Sequence, residues 1–274
     1  MDAELAAFLG TVRPPDEAID LARAALQIAR IEHDGLAPEP CLLELSTLAE
    51  RSGVRRVDDP FRALDRLREF LFEEEGYRGN AEDYFDPRNS YLNDVIARKL
   101  GIPITLSLLT MEVGRRVGLT IDGVGLPGHF IVRAHVGHDS VLVDPFNGGR
   151  ILDEQGAAEV VAHALGREVP LTDVHFASVT KSQVIARILM NLRGIYVQRE
   201  EWRKALAVIE RLLVLDTRSP VHLRDRGTML MKLGDFHAGA AEWERYLTRY
   251  PNARDADRLR GQLRQIRQAL ASRN

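Results

Sequence analysis

The sequence has 274 residues, of which 45% are hydrophobic, and its formal net charge is −3. This length is sufficient for one large or two smaller globular domains with a buried core, and no apolar run is long enough to span a membrane. The N-terminus is acidic and is soon interrupted by Pro14 and Pro15, unlike a secretory signal. The sequence therefore predicts a cytoplasmic protein with no membrane association.

The charge is unevenly distributed along the chain. Residues 179–274 contain 19 Lys and Arg against 10 Asp and Glu, a balance of +9 that leaves −12 for residues 1–178. Because the basic residues are interleaved with carboxylates along predicted helices, this pattern favours a solvated face or a docking surface over a nucleic-acid groove. The predicted partners are therefore proteins, and an acidic partner segment suits the basic C-terminal part.

Short helices dominate the first hundred residues. Apolar residues recur at helical spacing over residues 16–34, with Asp16 as the expected N-cap, and helices are also expected over 41–52 and 60–75. The segment "RGNAEDYFDPRNSYL" then forms a loop rich in turn residues. Its aromatic residues Tyr84, Phe85 and Tyr91 are expected to pack against the core, while Asn89 and Ser90 are candidates to line a cleft.

After a helix over residues 103–117 the pattern changes to the strands "IDGVGLP", "HFIVRAHV" and "SVLVDPF", followed by helices to the end. If Gly137 and His138 form a two-residue turn, Val136 lies opposite Asp139. His129 and Asp144 then share one face of the sheet, on a diagonal that side chains can bridge. An Asp in this position orients an imidazole as a general base. The plainer alternative is a structural histidine and a turn-forming aspartate.

The C-terminal third contains an internal repeat with an offset of 34 residues, which pairs Trp202 with Phe236 and Ala205 with Gly239. This is the period of the tetratricopeptide repeat, in which a large residue opens the second helix and a small residue lets the two helices approach. Two repeats are visible, and residues 254–271 are expected to form a capping helix.

Three motifs in order, "NSYLNDVIARKLGIPITLSLLTMEVGRRVGL", "PGHFIVR" and "VDPFNGG", followed by these repeats, resemble the SirB family of bacterial proteins. The resemblance implies an α+β fold. A transglutaminase- or papain-like core of helices and antiparallel sheet would occupy residues 1–178, and an all-α tetratricopeptide-like helical repeat residues 179–274. It also implies a Cys-His-Asp triad, of which His129 and Asp144 match the second and third members.

The first member of that triad is missing. The position of the cysteine falls on Pro103 or Ile104, and proline at a helix start is good helix architecture but no nucleophile. Thr105 and Ser107 are nearby weak nucleophile candidates, although the pattern favours structural roles, with Thr105 as a first-turn residue that satisfies backbone groups and Ser107 as a small packing residue. The single cysteine, Cys41, is expected to be a small buried hydrophobe. No cofactor motif and no metal site is predicted; His135, His138 and Asp139 are expected to form a solvated turn.

Two main interpretations follow. The first is a non-catalytic transglutaminase-like protein that acts as a protein-interaction or regulatory module through its cleft and its helical repeats. The second is a hydrolase or acyltransferase that uses the His129–Asp144 dyad with a non-cysteine nucleophile or an activated water; a third treats the first domain as a scaffold for the repeats. In the first interpretation, an acidic partner segment would bind to arginines of the C-terminal part: Arg187, Arg193, Arg224 and Arg226.

Overall fold

The computed structural model describes residues 3–271 of the chain. These residues form two compact units, one of residues 10–188 and the other of residues 189–271 together with residues 3–9. The first part of the chain is α+β and the second is all-helical, which confirms the predicted fold class. None of the helices described is both long enough and apolar enough to cross a bilayer.

Among the residues that the structure describes, eight α-helices and six strands precede the repeats. The helices are α1 (Ala3–Val12), α2 (Leu21–Ala29), α3 (Glu39–Arg51), α4 (Pro60–Arg68), α5 (Leu92–Arg98), α6 (Pro103–Arg116), α7 (Glu154–Leu165) and α8 (Asp173–Phe176). The strands are β1 (Arg78–Gly79), β2 (Leu100–Gly101), β3 (Thr120–Val124), β4 (Ile131–Val136), β5 (Asp139–Asp144) and β6 (Arg150–Leu152).

The main sheet is antiparallel, with the strand order β3-β4-β5-β6. Strands β4 and β5 pair Val136 with Asp139, as the two-residue turn predicted. Gly137 adopts a φ of 65°, a left-handed conformation that glycine reaches without a steric penalty. Strand β6 was not predicted, because three residues are too few to show an alternating pattern. β1 and β2 form a separate parallel pair.

Helix α6 forms the centre of the core beneath this sheet. Leu106, Leu109 and Val113 on this helix are fully buried. Gly114 lets the helix lie close to β3, because a Cβ at this position would be 2.5 Å from the Cδ1 atom of Ile121. The helix begins at Pro103, which is buried.

Two helix predictions in the first part of the chain were wrong in detail. Helix α2 begins at Leu21 and is capped by Asp20, whose side chain accepts from the backbone N–H of Arg23. Asp16 instead accepts from the backbone N–H groups of Lys181 and Ser182, both at 2.8 Å. The helix expected over 60–75 is also divided, since a π-helix (Glu69–Glu74) follows α4.

In the described part of the chain, the repeats consist of five helices: α9 (Lys181–Gln198), α10 (Trp202–Leu215), α11 (Pro220–Lys232), α12 (Phe236–Arg249) and α13 (Ala256–Ala271). Trp202 and Phe236 open α10 and α12, as the 34-residue offset predicted. A Cβ on Gly239 would lie 3.0 Å from the carbonyl oxygen of Gly227, so these small residues let α11 and α12 approach closely. Trp243 is buried at the same contact.

Candidate functional site

His129 and Asp144 are joined by a hydrogen bond between Nε2 of the imidazole and Oδ2 of the carboxylate, with a length of 3.0 Å. His129 lies two residues before β4 and Asp144 ends β5, so the hairpin register brings them to one face. His129 is 5% exposed and Asp144 is fully buried. The predicted pairing of these two side chains is confirmed.

The Asp144 carboxylate is held by a second side chain and by the turn that follows it. Asn147 donates its Nδ2 to Oδ2 at 2.7 Å, and the backbone N–H groups of Phe146 and Asn147 donate to Oδ1 at 3.0 and 3.3 Å. Burial alone would raise the pKa of Asp144, but the hydrogen bonds and charge of His129 and the hydrogen bonds of Asn147 outweigh it, so the pKa lies below its usual value. Asp144 is therefore an ionised anchor that fixes the orientation of the ring.

Asn147 was missed in the sequence, although the segment "DPFN" carries a usable signal. An aspartate followed by proline often forms an Asx turn, in which the side chain accepts hydrogen bonds from residues two and three positions later. The backbone bonds of Phe146 and Asn147 to Asp144 have this pattern. The turn therefore explains why the side chain of Asn147 returns to the same carboxylate.

The other side of the His129 ring faces a cleft of about 730 Å³. Because Nε2 is bound to Asp144, Nδ1 is the ring nitrogen left for a ligand, and it makes no hydrogen bond to any described residue. Phe146 packs edge-on against the imidazole, with ring centroids 5.9 Å apart. Gly128, next to His129, has a φ of 71°, and a Cβ at this position would lie 2.7 Å from Cδ2 of Leu165.

Pro103, the first residue of α6, lines this cleft beside His129. In the triad that the sequence resembles, a cysteine at this point has its thiolate stabilised by the free N–H groups and dipole of the helix. Proline offers no nucleophilic atom, and the neighbouring Ile104 is buried with an apolar side chain. The helix start is thus in the position that the triad requires, without the group that performs the attack.

The hydroxyl groups of Thr105 and Ser107 point away from this position. Thr105 Oγ1 donates to the carbonyl oxygen of Asn89 at 2.6 Å and accepts from the backbone N–H of Ile102. Ser107 Oγ donates to the carbonyl oxygen of Phe130 at 3.4 Å. Both residues are buried, and neither lines the cleft. The structure therefore does not bring either candidate nucleophile to His129.

The rim of the cleft is formed by Tyr84 and Phe85 from the loop before α5. Tyr91 is fully buried, as predicted, but Tyr84 and Phe85 are 36% and 59% exposed and do not pack into the core. Asn89 and Ser90, expected in the cleft, are instead buried under the loop. The Asn89 side chain donates to the carbonyl oxygens of Asp83 and Tyr84. These hydrogen bonds hold the backbone of the loop that carries the aromatic rim.

The opposite wall carries charged groups that sequence reasoning missed. Arg150 of β6 and Glu159 and His163 of α7 line the cleft. Arg150 is exposed and forms no ion pair with any described carboxylate. The unpredicted strand β6 is what places it there. The cleft therefore combines one oriented imidazole, an available guanidinium and an aromatic rim.

The arginines predicted to bind a partner have different surroundings. Arg187 lies in the unit of residues 10–188, where burial raises the pKa of Tyr84 and the Arg187 charge opposes that rise. The other three form ion pairs within the repeat unit: Arg193 with Asp225, Arg224 with Asp225 and Asp255, and Arg226 with Glu210 and Glu242. Their binding of a partner stays a prediction.

Cys41 lies in α3 and is half-buried. Burial, and then the charge of Asp94, raises the pKa of its thiol, so the reactive thiolate is disfavoured. Within residues 3–271, no three His, Cys, Asp or Glu side chains are grouped so as to hold a metal ion. His135 at the hairpin instead pairs with Asp122 at 2.9 Å.

Comparison with known proteins agrees with this architecture. Residues 39–190 match the transglutaminase-like superfamily, and residues 192–264 match the tetratricopeptide repeat. A "UPF0162 protein" of Xylella fastidiosa (strain 9a5c) is 38% identical over 254 residues, covering 90% of both chains. A "UPF0162 protein" of Vibrio cholerae is 28% identical over 251 residues, covering 90% of this chain and 92% of the relative.

A shorter similarity extends to a eukaryotic protein. "F-box only protein 21" of Homo sapiens is 27% identical over 151 residues, which cover 52% of this chain and 23% of that protein. No solved structure matches the chain significantly. On the match of residues 39–190 and the 38% identity over nine-tenths of the Xylella protein, this chain belongs to the UPF0162 protein family, within the transglutaminase-like superfamily.

Proposed function

We propose that this protein is a non-catalytic transglutaminase-like protein that binds segments of other proteins through the His129 cleft and the helical repeats, and so acts as an interaction or regulatory module. The observation that carries this proposal is Pro103 at the nucleophile position, with the hydroxyls of Thr105 and Ser107 bonded elsewhere. The match of residues 192–264 to the tetratricopeptide repeat supports it, because stacked helical repeats present extended binding surfaces.

Three further points of the proposal come from the sequence. The order of motifs supports assignment to the SirB family, with which membership of the UPF0162 family is compatible. The second point is a domain boundary near residue 178, ten residues before the division between the two compact units. The third point is a cytoplasmic location.

The chemistry of the cleft supports recognition of a polypeptide. When Nε2–H is donated to Asp144, Nδ1 of His129 keeps its lone pair and accepts a hydrogen bond from an amide N–H of the bound segment. Arg150 is available to a carbonyl or carboxylate oxygen, while Tyr84 and Phe85 cover an apolar side chain. A short extended segment with one apolar side chain satisfies these groups together.

A photo-crosslinking residue in place of Phe85 tests this proposal. The bait is expected to capture a discrete set of proteins, and the added substitution His129→Ala is expected to reduce that capture. The matched control carries the same residue in place of Val174, which is 81% exposed in the same unit and does not line the cleft. Equal capture from both positions would remove the support for recognition in the cleft.

The second candidate is hydrolysis by a water that His129 activates. The ionised, fully buried Asp144 favours this candidate, because it stabilises the imidazolium that forms when Nδ1 takes a proton. Peptide amides and p-nitrophenyl esters are suitable probes. Turnover that Cys41→Ser preserves and His129→Ala abolishes would support hydrolysis, whereas rates equal to those in buffer support the binding proposal.

A further inference from the structure

The repeat unit contains a cavity of about 620 Å³ at the start of α11, the end of α12 and the connection to α13. It is formed by helix ends and a connecting segment. The residues that matter for its chemistry are three arginines and an apolar floor: Arg224, Arg249, Arg254, Pro220, Val221 and Tyr250. Of the four arginines that were predicted to bind a partner, Arg224 is the one that lines this cavity.

The charges of this cavity are not balanced. Arg249 and Arg254 are exposed and form no ion pair with any carboxylate among the described residues. Asp255 is the acidic residue of the lining, and it is already engaged by the Tyr246 hydroxyl at 2.8 Å and by Arg224 at 3.3 Å. Neither guanidinium group therefore has a carboxylate partner among the described residues, whereas Arg193, Arg224 and Arg226 each have one.

The floor of the cavity is apolar and held in place. Val221 is 41% exposed there, beside Pro220. The Tyr250 hydroxyl donates to the carbonyl oxygen of Arg218, which fixes the ring, and Arg249 lies over that ring with its guanidinium carbon 6.0 Å from the centroid. A fixed aromatic floor reduces the ordering cost when an apolar side chain binds.

We propose that this cavity binds an acidic segment of a partner protein, in which two Asp or Glu residues flank an apolar side chain. Each free guanidinium matches one carboxylate through a two-pronged hydrogen bond, so Arg249 and Arg254 together suit two acidic residues. The apolar side chain lies between them on Val221 and Tyr250. This inference rests on the proposed function as an interaction module and names the partner chemistry of its repeat unit.

The test is fluorescence anisotropy of the full chain with a labelled, acetylated and amidated peptide that contains Glu-Leu-Glu, compared with the same peptide containing Gln-Leu-Gln. The Glu peptide is expected to bind in low salt, and Arg249→Glu/Arg254→Glu is expected to weaken it by about tenfold or more, because attraction becomes repulsion. Arg249→Lys/Arg254→Lys keeps the charge but removes the guanidinium groups that form two parallel hydrogen bonds. A smaller loss of affinity, about threefold, is therefore expected.

Arg203→Glu/Arg264→Glu is the matched control, since both residues are exposed in the same unit, outside the cavity, and the change in net charge is identical. It is expected to leave binding within about twofold of the unaltered protein. An equal loss in this control, or equal binding of the Gln peptide, would overturn the inference. Thermal unfolding of each variant establishes that it is folded. Because crosslinking at Phe85 probes the other unit, its outcome separates failure of this cavity from failure of the proposed function.

Discussion

The polar groups of the His129 cleft and those of the repeat unit are arranged in opposite ways. In the cleft, one fully buried carboxylate, Asp144, collects hydrogen bonds from His129, Asn147 and the following turn. In the repeat unit, a partly exposed guanidinium contacts two carboxylates at once, as Arg224 does with Asp225 and Asp255. A buried group without its hydrogen bond is costly, whereas an exposed ion pair contributes little.

This difference indicates how each region would distinguish one binding partner from another. The His129–Asp144 pair favours one geometry, because turning either side chain away leaves a buried polar atom without its partner. The repeat unit obtains its geometry from packed helices. The charged side chains on its surface are available to form ion pairs with a partner. We therefore expect recognition in the cleft to depend on shape and hydrogen bonds, and recognition by the repeats to weaken strongly with salt.

The largest expected effect is at Asp144. Asp144→Ala leaves the imidazole, the Asn147 amide and two backbone N–H groups without their acceptor, so the free energy of unfolding should fall by about 3 to 5 kcal/mol. Urea denaturation monitored by circular dichroism measures it. Asp139→Ala, on the exposed hairpin of the same strand, should change stability by less than about 0.5 kcal/mol. Similar losses in both variants would contradict the role of Asp144 as the anchor.

The second prediction concerns the packing of the repeats. A Cβ at Gly227 would lie 2.4 Å from Cδ1 of Trp243, so Gly227→Ala should destabilise this unit by about 1 to 3 kcal/mol through overpacking. Gly194→Ala is the control, because no heavy atom lies within 4 Å of a Cβ at that helical position. It should stabilise the unit by about 0.5 to 1 kcal/mol. Opposite shifts in the unfolding temperatures of the two variants would support the contrast with the cleft. Shifts in the same direction would contradict it.

The third prediction is a pH dependence. Burial opposes ionisation of Asp16, but hydrogen bonds from Ser182 and Lys181 outweigh it and hold the pKa of this carboxylate below its usual value. A depressed folded-state pKa stabilises the fold above the unfolded pKa, and this contribution is lost as the pH falls through the folded value. Asp16→Ala should therefore cost about 1 kcal/mol at pH 7, as removal of a helix cap does, and progressively less below about pH 4.

The control for this pH series is Glu17→Ala, an exposed neighbour whose side chain is not bonded to α9. It should leave the pH profile of unfolding unchanged. A constant difference between Asp16→Ala and the unaltered protein from pH 7 to pH 2 would show that the Asp16 charge does not stabilise the fold.

Local patterns were sufficient to predict the hairpin and the His129–Asp144 pair. Alternation of apolar residues and a glycine turn fix a register, and the register fixes which side chains share a face. The role of Asp16 was not predictable in this way, because its partners at residues 181 and 182 lie 165 and 166 positions away in the sequence. A plausible local cap was assigned to it instead.

The rest of the cleft was beyond sequence reasoning for a similar reason. Arg150 reaches the cleft because a three-residue strand pairs with β5, and such a strand has too few residues for a periodic signal. Tyr84 and Phe85 were expected to pack the loop against the core. The buried Asn89 holds the loop so that these rings face outward, which is a tertiary effect.

The smallest expected effect is at Cys41. Its thiol is half-buried in α3, does not line the cleft, and has a pKa raised by burial and by Asp94. Iodoacetamide should therefore modify it more slowly than free cysteine at pH 7.5, and Cys41→Ser should leave peptide binding unchanged, because a protonated thiol outside the cleft contributes nothing to recognition.

The same substitution tests whether the cleft has kept acyl chemistry. Neither amidase, protease nor transglutaminase activity should depend on the thiol, and an activity that Cys41→Ser abolishes would contradict this. An activity that survives Cys41→Ser but disappears in His129→Ala would mean that the oriented imidazole serves a reaction and not only recognition. Thr105→Ala and Ser107→Ala would then distinguish a hydroxyl nucleophile from water. Because both hydroxyls are bonded to backbone carbonyls, a loss in either variant would require the start of α6 to rearrange, whereas retained activity in both would leave water as the attacking group.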